Sequence, residues 1–479
     1  MAVDRAIRLS GIATPDTILA GLTADSRAVA PGFLFAALSG ARADGRGFIA
    51  EAVARGAAAI LAPEGTDWPP GVPPRPMLTA PDPRRTFARM AAEHYALQPA
   101  RVVAITGTNG KTSTAEFCRQ IFAAEGRQAA SLGTLGLVRD GIASGPGLTT
   151  PDPVALHATL AQLARDGVTD LAIEASSHGL DQRRLDGVRI AAAGFSNLTR
   201  DHLDYHGDMA GYRAAKLRLF DTLLDEGAPA VVNADMDAAT LDALRAIAAR
   251  RRLRLSTVGE AGQDIRLLSA RPLPEGLAIE IDAFGTRHAI ALPLPGRFQA
   301  DNALLAAGLA LATGARDPWG PLAHLSGVRG RMERAARLAN GAAVYVDYAH
   351  TPDALERLLL ALRPHAAGRL VVVFGAGGDR DPGKRPLMGA VVARLADAAI
   401  VTDDNPRGED PATIRAAILA ACPDAREIGD RAAAIAAAMS DLRPGDVLAV
   451  AGKGHEPGQT IAGVTLPFDD ADVVRGFAG

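Results

Sequence analysis

The chain has 479 residues, 48% hydrophobic and 22% charged, ordinary for a soluble globular protein of about three domains at ~150 residues each. A net charge of −3 gives no electrostatic case for nucleic acid or an acidic membrane surface, and no stretch approaches the ~18 uninterrupted apolar residues of a membrane span. Cys118 and Cys422 are far apart and lack metal-ligand spacing, and the charged start MAVDRAIRLS has no apolar leader, so a reducing, cytoplasmic location without disulfides is expected.

In chain order, the first ninety-odd residues end in a proline-rich passage from Trp68 to Pro83, a short helical pattern and Leu97-Gln98-Pro99, which puts a domain boundary near Pro99. From Arg101, the apolar runs RVVAITG, DLAIEASS, IAAAGFSNL and PAVVNAD alternate with helical patterns and predict βαβ units in a mostly parallel sheet. LAIEIDAF and HAIALPL, joined through Gly285-Thr286, predict a hairpin. After GVRGRMER the alternation restarts with AVYVDYAH, RLVVVFG, AAIVTDD and DVLAVAG, resembling a second doubly wound unit and placing the next boundary between Arg329 and Glu333. The expectation is an α/β protein with domains at 1–98, 99–330 and 331–479.

Of the 51 basic residues only four are lysines, and each lies in a motif of chemical character. Lys111 is in VAITGTNGKTST, Lys216 in DHLDYHGDMAGYRAAK, Lys384 in GAGGDRDPGKRP and Lys453 in AVAGKGHE. Where any solvated positive charge would serve, this chain uses arginine, so the lysines mark places that need a compact or deprotonatable amine.

Around Lys111, strand, glycine turn and helix meet at Gly107, Thr108, Asn109, Gly110, Lys111, Thr112 and Ser113, where backbone N–H groups and a helix N-terminus can cradle phosphates. Lys111 would reach the β- and γ-phosphates and Thr112 would ligate Mg²⁺. The loop is a shortened form, since Ile105 stands where the standard pattern has its first glycine. No lysine follows an asparagine, so the guanine-specific Asn-Lys-x-Asp motif is absent, which argues against a GTPase.

GTNGKT, Glu174 in AIEASSHGL, NLTRDHLDYHGDMAGYRAAK, NALLAA, GRMER and DYAHTPD resemble the Mur ligases in order and spacing over essentially the whole chain. DSRAVAPGFLFAALSGARADGRGFI, DNPRGEDP and GKGHE narrow the resemblance to the MurE type. It implies three domains: an N-terminal α/β uridine-nucleotide domain, a central P-loop domain and a C-terminal Rossmann-like domain. It also implies ATP-dependent addition of an amino acid to UDP-N-acetylmuramoyl-L-alanyl-D-glutamate through an acyl phosphate, in peptidoglycan precursor synthesis, with a monomer expected.

The resemblance assigns roles by position. Lys111, Glu174, His202, Lys216 and Arg331 carry catalysis. Thr112, Glu174, His202 and Lys216, the last as its N-carboxy derivative, hold Mg²⁺, and the imidazole suggests that Mn²⁺ could substitute. Arginine could not take the carbamylated role, because it has no accessible neutral form. Asn302, Arg331, Asp347, His350 and Lys384 join the glycine loop in binding ATP, while Thr351 and Pro352 have the local form of a helix cap. Ser26, Arg27, Thr149, Thr150, Ser176, Gln182 and Arg184 match the nucleotide-sugar contacts, although Ala41 and Leu148 depart from residues common in relatives.

Amino-acid choice is expected to rest on Asp404, Asn405, Pro406 and Arg407, with Arg380, Gly452 and Glu456. In the resembled family DNPR marks addition of meso-diaminopimelate. The distal carboxylate of that substrate suits an arginine fork, and Glu456 with the Gly452 backbone suits its distal ammonium. Alternatives sharing the ATP site are a lysine-adding ligase, opposed by DNPR, and a folylpolyglutamate-type synthetase, opposed by the uridine-nucleotide domain. A nucleotide-binding scaffold without ligase activity is opposed by the intact Lys111, Glu174, His202 and Lys216.

Overall fold

The computed structural model describes residues 7–8, 18–40, 43–145 and 147–478; Ala41 lies outside them. Three main sheets follow one another along the chain. The first is parallel, with strands Gly21–Thr23, Phe33–Ala36, Ala59–Pro63 and Met77–Ala80 in that order. The helix Pro83–Tyr95 covers it. Asp82 caps this helix by accepting from Arg85 N, and a proline at the first position supplies a preset φ where no N–H is needed. Its Phe87, Met90 and Ala91 bury against Leu34, Leu61 and Ala80.

The second sheet has eleven strands among the described residues. At its centre Arg101–Thr106 runs parallel between Asp170–Glu174 and Ala192–Phe195, with Glu174 beside Ile105 and Phe195 beside Thr106. This register brings Glu174, Gly107 and Ser196 to one carboxyl edge, at the switch point where the chain moves from one side of the first strand to the other. The strands are apolar on both faces because both are covered. Lys111–Ala124 and Arg297–Ala312 pack one face around Ile105, Phe117, Ile121 and Leu304, and Pro153–Arg165 packs the other around Leu156, Leu160 and Leu171. Gly276–Ala283 and Thr286–Leu292 form the expected hairpin, turning at Gly285 with φ +84°.

The third sheet is parallel through Ala343–Asp347, Val447–Ala451, Leu370–Phe374, Ala398–Val401 and Arg426–Glu427, with Glu333–Arg337 antiparallel at one edge. Pro352–Leu362, Lys384–Leu395 and Pro411–Leu419 cover one face; Arg431–Ser440 and Asp470–Ala478 cover the other. Thr351 caps Pro352–Leu362 by accepting from Ala354 N. His365 ties this part to the central sheet: its Nδ1 pairs with Leu273 O at 2.9 Å, and its Nε2 accepts from Gly296 N at 3.0 Å.

Two stability predictions follow from buried polar groups. Arg431 and Asp470 are fully buried, joined by two hydrogen bonds of 2.7 Å, with Arg431 also donating to Ala451 O at 3.0 Å. Arg431→Met leaves Asp470 as an uncompensated buried charge and is expected to destabilise by about 3–5 kcal/mol, seen as a lower urea midpoint, while a further Asp470→Leu recovers much of the loss. His157 and His455 are buried, and burial pulls each from 6.5 to about 4, with Arg189 adding at His157 and Arg331 at His455. The unfolded chain therefore binds more protons than the folded one between these values. Stability from this source is full above 6.5 and is lost as pH falls toward 4, by about 3 kcal/mol per histidine at most. The urea midpoint should fall over that window, and His157→Gln should flatten the fall.

Candidate active site

The loop Gly107–Gly110 is held from outside itself. Asn109 N donates to Asn197 Oδ1 at 3.0 Å, Ser196 Oγ donates to Asn109 O at 2.5 Å, and Thr108 Oγ1 accepts from Thr199 N at 2.9 Å. Gly107 and Gly110 have φ of +140° and +84°, and a Cβ on either would collide, with Ser196 Oγ and Asn302 Oδ1 respectively. Glycine is thus required by close approach as well as by backbone angle. Asn302, expected at the nucleotide, is brought directly against the loop.

Lys111 Nζ donates to Gly107 O at 3.0 Å and Thr108 O at 2.8 Å; Lys216 Nζ, fully buried, donates to the same Gly107 O at 2.6 Å. Burial pulls the Lys216 amine well below the ordinary 10.5, and the neighbouring Lys111 adds to this against Asp201. Burial likewise lowers Lys111, where Glu174 opposes and Arg331 adds. Two amines on one carbonyl disfavour charging both, so one is biased toward the neutral, nucleophilic form. Lys216 also lies 4.5 Å over the Tyr212 ring, whose hydroxyl donates to Thr108 Oγ1 at 3.2 Å.

Glu174 is buried, accepting from Thr134 N at 2.8 Å and Thr134 Oγ1 at 3.1 Å. Thr134 Oγ1 pairs with Thr149 Oγ1 at 3.1 Å, which joins the carboxylate to the substrate-side loop. His202, at φ +51°, is half exposed, 3.4 Å from Asp201 Oδ2, with its ring 4.8 Å from that of His178. Among the described residues no three of His, Cys, Asp and Glu cluster as a metal set. The expected set contains two such residues, Glu174 and His202, beside the Thr112 hydroxyl and Lys216. Its oxygen donors suit a hard cation, while Lys216 as an ammonium would repel one; conversion to a carbamate reverses that charge, and with it the donor set fits.

A cleft of about 530 Å³ opens between the first and second sheets, lined by Asp25, Arg84, Phe87, Asp152, Gln182 and Arg184 among others. Its size suits a nucleotide-sized ligand. Arg184 donates to Thr150 O at 2.6 Å and to Gln182 Oε1 at 2.7 Å, and Thr150 Oγ1 pairs with Ser176 Oγ at 3.0 Å, so these four expected contacts form one network. Ser26 donates to Glu51 Oε2 at 3.0 Å, and Arg27 is exposed and paired with Asp25. Leu148 is exposed.

In the third part, Arg331 lies 4.9 Å over the Tyr348 ring. Both Asp347 oxygens accept backbone N–H groups, from Met332 at 2.7 Å and Ala349 at 2.8 Å, so this side chain shapes the turn that carries Tyr348. Burial raises its pKa, with Arg331 opposing. His350 Nδ1 pairs with Tyr348 O at 2.8 Å, and Lys384 donates to His350 O at 2.9 Å rather than standing free.

The DNPR turn is laced to the loop carrying Arg380. Gly378 N donates to Asn405 O at 2.9 Å, Arg407 Nη1 to Gly378 O at 2.7 Å and Gly408 N to Asp379 Oδ2 at 3.0 Å. Glu409 braces it by accepting from Asp379 N at 2.5 Å and from buried Arg385 at 2.8 Å. Pro406 and Asp404 are buried, Arg380 is exposed, and a Cβ at Gly452 would collide with Asp404 Oδ2. Thr134, Asn197, Tyr212 and Glu409 escape the sequence reading as individual site supports: Asn197 and Tyr212 lie inside NLTRDHLDYHGDMAGYRAAK and Glu409 inside DNPRGEDP, whereas Thr134 carries no local signal.

Three family profiles match in succession: "Mur ligase family, catalytic domain" over residues 19–95, "Mur ligase middle domain" over 105–310 and "Mur ligase, glutamate ligase domain" over 330–454. The chain is 57% identical to the UDP-N-acetylmuramoyl-L-alanyl-D-glutamate--2,6-diaminopimelate ligase of Caulobacter vibrioides, covering 97% of this chain and 96% of that one. It is 53% identical to the protein of the same name from Chelativorans sp., covering 98% and 96%. A solved structure of such a ligase superposes with a TM-score of 0.71 at 34% identity, covering 96% of this chain and 95% of the other.

Proposed function

The chain belongs to the Mur ligase family, and on that footing we propose that it is the ligase that joins meso-diaminopimelate to UDP-N-acetylmuramoyl-L-alanyl-D-glutamate at the expense of ATP, in peptidoglycan precursor synthesis. The observation that supports this most directly is the meeting of Lys111 and Lys216, remote in sequence, on Gly107 O, with Glu174 and Arg331 near enough to Lys111 to shift its amine in opposite directions. We assign the nucleotide sugar to residues 1–98 and the cleft below them, ATP to 99–330 with Arg331 and its neighbours reaching it from the next domain, and the amino acid to 331–479.

A carboxylate does not react with an amine at neutral pH until one oxygen becomes a leaving group. In the proposed sequence the D-glutamate γ-carboxylate oxygen attacks the γ-phosphorus of ATP and ADP departs. The diaminopimelate amine then attacks the acyl carbon, and the tetrahedral intermediate expels phosphate as the nitrogen loses its proton. Three anionic groups must meet, so the task is chiefly positioning and charge neutralisation. Lys111 and Arg331 supply fixed positive charge to the phosphates, and the glycine loop supplies N–H donors. Mg²⁺, held by Glu174, Thr112, His202 and carbamylated Lys216, would add charge neutralisation at the phosphate oxygens. Arg407 and Arg380 receive the distal carboxylate, and Asp404 and Glu456 the distal ammonium. No helix among the described residues is long and apolar enough to cross a membrane; we place the reaction in the cytoplasm, with a monomer as the working unit.

The test is phosphate release with ATP, Mg²⁺ and UDP-N-acetylmuramoyl-L-alanyl-D-glutamate, comparing meso-diaminopimelate with L-lysine. Turnover with diaminopimelate alone is expected. Turnover with lysine would keep the ligase and overturn the role of Arg407; silence with both would overturn the reading.

A further inference from the structure

We propose that Lys453 is a positioning residue that fixes the orientation of the Asn405 amide and thereby sets the charge of the ammonium-accepting half of the amino-acid site. The inference rests on the reading that the amine substrate is a diaminopimelate.

Lys453 follows the strand Val447–Ala451 and is fully buried. Its Nζ donates to Gly458 O at 2.5 Å and Asn405 Oδ1 at 3.1 Å and lies 3.4 Å from Glu456 Oε2. Thr460 N also donates to Asn405 Oδ1, at 2.9 Å. Two donors on one oxygen determine which end of the amide faces which way. The NH₂ is left to donate to Glu456 Oε2 at 2.8 Å and Asp404 Oδ1 at 3.1 Å. A flipped amide would point its NH₂ at an ammonium and a backbone N–H, and its carbonyl at two carboxylates, so every contact would turn repulsive.

The consequence reaches the substrate. Asn405 occupies one oxygen of each carboxylate, and Asp404 Oδ2 is buried with no partner among the described residues, facing Gly452 at φ +121°. An unpaired buried carboxylate oxygen is costly unless a donor arrives. Lys453 offsets one of the two negative charges here, and nearby Arg431 is committed to Asp470. Lys384 also feels the Asp404 charge, but its amine donates to His350 O, so the carboxylate oxygens open to a substrate ammonium are those that Asn405 and Lys453 leave untaken. The hydrogen bonds of Lys453 go to Asn405, Glu456 and Gly458, and those of the Arg407 side chain to Gly378 O. Lysine suits this place because a compact ammonium reaches three acceptors in a closed space that a planar guanidinium would overfill.

The experiment compares wild type, Lys453→Met and Lys453→Gln with three amines: meso-diaminopimelate, L-lysine, and the diaminopimelate analogue with its distal amine replaced by hydrogen. For Lys453→Met, KM for diaminopimelate should rise about ten- to hundredfold, kcat and the KM values for ATP and nucleotide sugar changing less than about threefold. The preference for diaminopimelate over the deaminated analogue should shrink about tenfold, while the preference over L-lysine, which Arg407 carries, is kept. Lys453→Gln, which retains a donor for Asn405 Oδ1, should recover part of the loss. Urea unfolding and ADP binding check the fold, and if Lys453→Met does not fold, the same selective loss is required of Lys453→Gln. Unchanged selectivity, or a parallel rise in KM for all three substrates with a lower urea midpoint, would overturn the proposal. Absence of wild-type turnover with diaminopimelate would instead remove the functional reading beneath it.

Discussion

Arg407→Ala is expected to lower kcat/KM for meso-diaminopimelate by about 10³-fold or more while leaving ADP affinity within about twofold. The estimate follows from sites built around a polar partner, which reject ligands lacking it by about 10⁴ because buried groups are left unpaired. The backbone of Arg407 is held independently of its side chain: its N–H donates to Thr460 O at 3.0 Å and its carbonyl accepts from Ala462 N at 2.7 Å. Its φ of +54° strains alanine only by about 1–2 kcal/mol. The side chain reaches across to Gly378 O at 2.7 Å through one nitrogen, which aims the guanidinium and leaves its other donors for a carboxylate. The phosphate loop belongs to another sheet and shares none of these bonds. Phosphate-release kinetics and a separate ADP titration read the two effects, and normal turnover in this variant would sink the assignment of the distal carboxylate to Arg407.

Lys216→Arg is the second large effect. It keeps a positive charge but removes the only form that can add CO₂, since arginine stays protonated. Turnover should fall by about 10³-fold or more, the scale of losing a preorganised electrostatic group at a reacting phosphate. Lys216 is fully buried, its amine driven toward the neutral form by burial and by Lys111. A neutral buried amine can attack CO₂, its nitrogen losing a proton to solvent as the N–C bond forms, and the carbamate that results is an anion beside the glycine loop. Isotope-labelled bicarbonate should therefore give wild type a carbamate resonance that the variant lacks. A variant that turns over normally, or a wild type without that resonance, would refute the carbamate reading. Because Lys216 also donates to Gly107 O at 2.6 Å, ADP affinity should be checked to separate loop damage from lost chemistry.

Much of the fold and of the site is legible in the order of the residues. Two-face apolar strands alternating with helical patterns are legible because a parallel sheet must be covered on both sides, and the glycines at 107 and 110 because few other residues accept their backbone angles and contacts. The scarcity of lysine pointed to residues that the fold does use distinctively: Lys111 and Lys216 meet on one carbonyl, and Lys453 has no exposed surface. How remote groups divide their hydrogen bonds is set by packing and is not legible there. Asp347 accepts from Ala349 N in its own turn and from Met332 N in the GRMER segment, Lys384 is tied to His350 O, and Lys453 orients Asn405 from across a sheet edge. Thr134 holds Glu174 although nothing near it in sequence signals that part. Motifs record which chemical groups a strand end presents, because that depends on local spacing. Which partner each group takes depends on the register of parallel strands joined by long crossovers, and that is fixed only when the sheets and helices pack together.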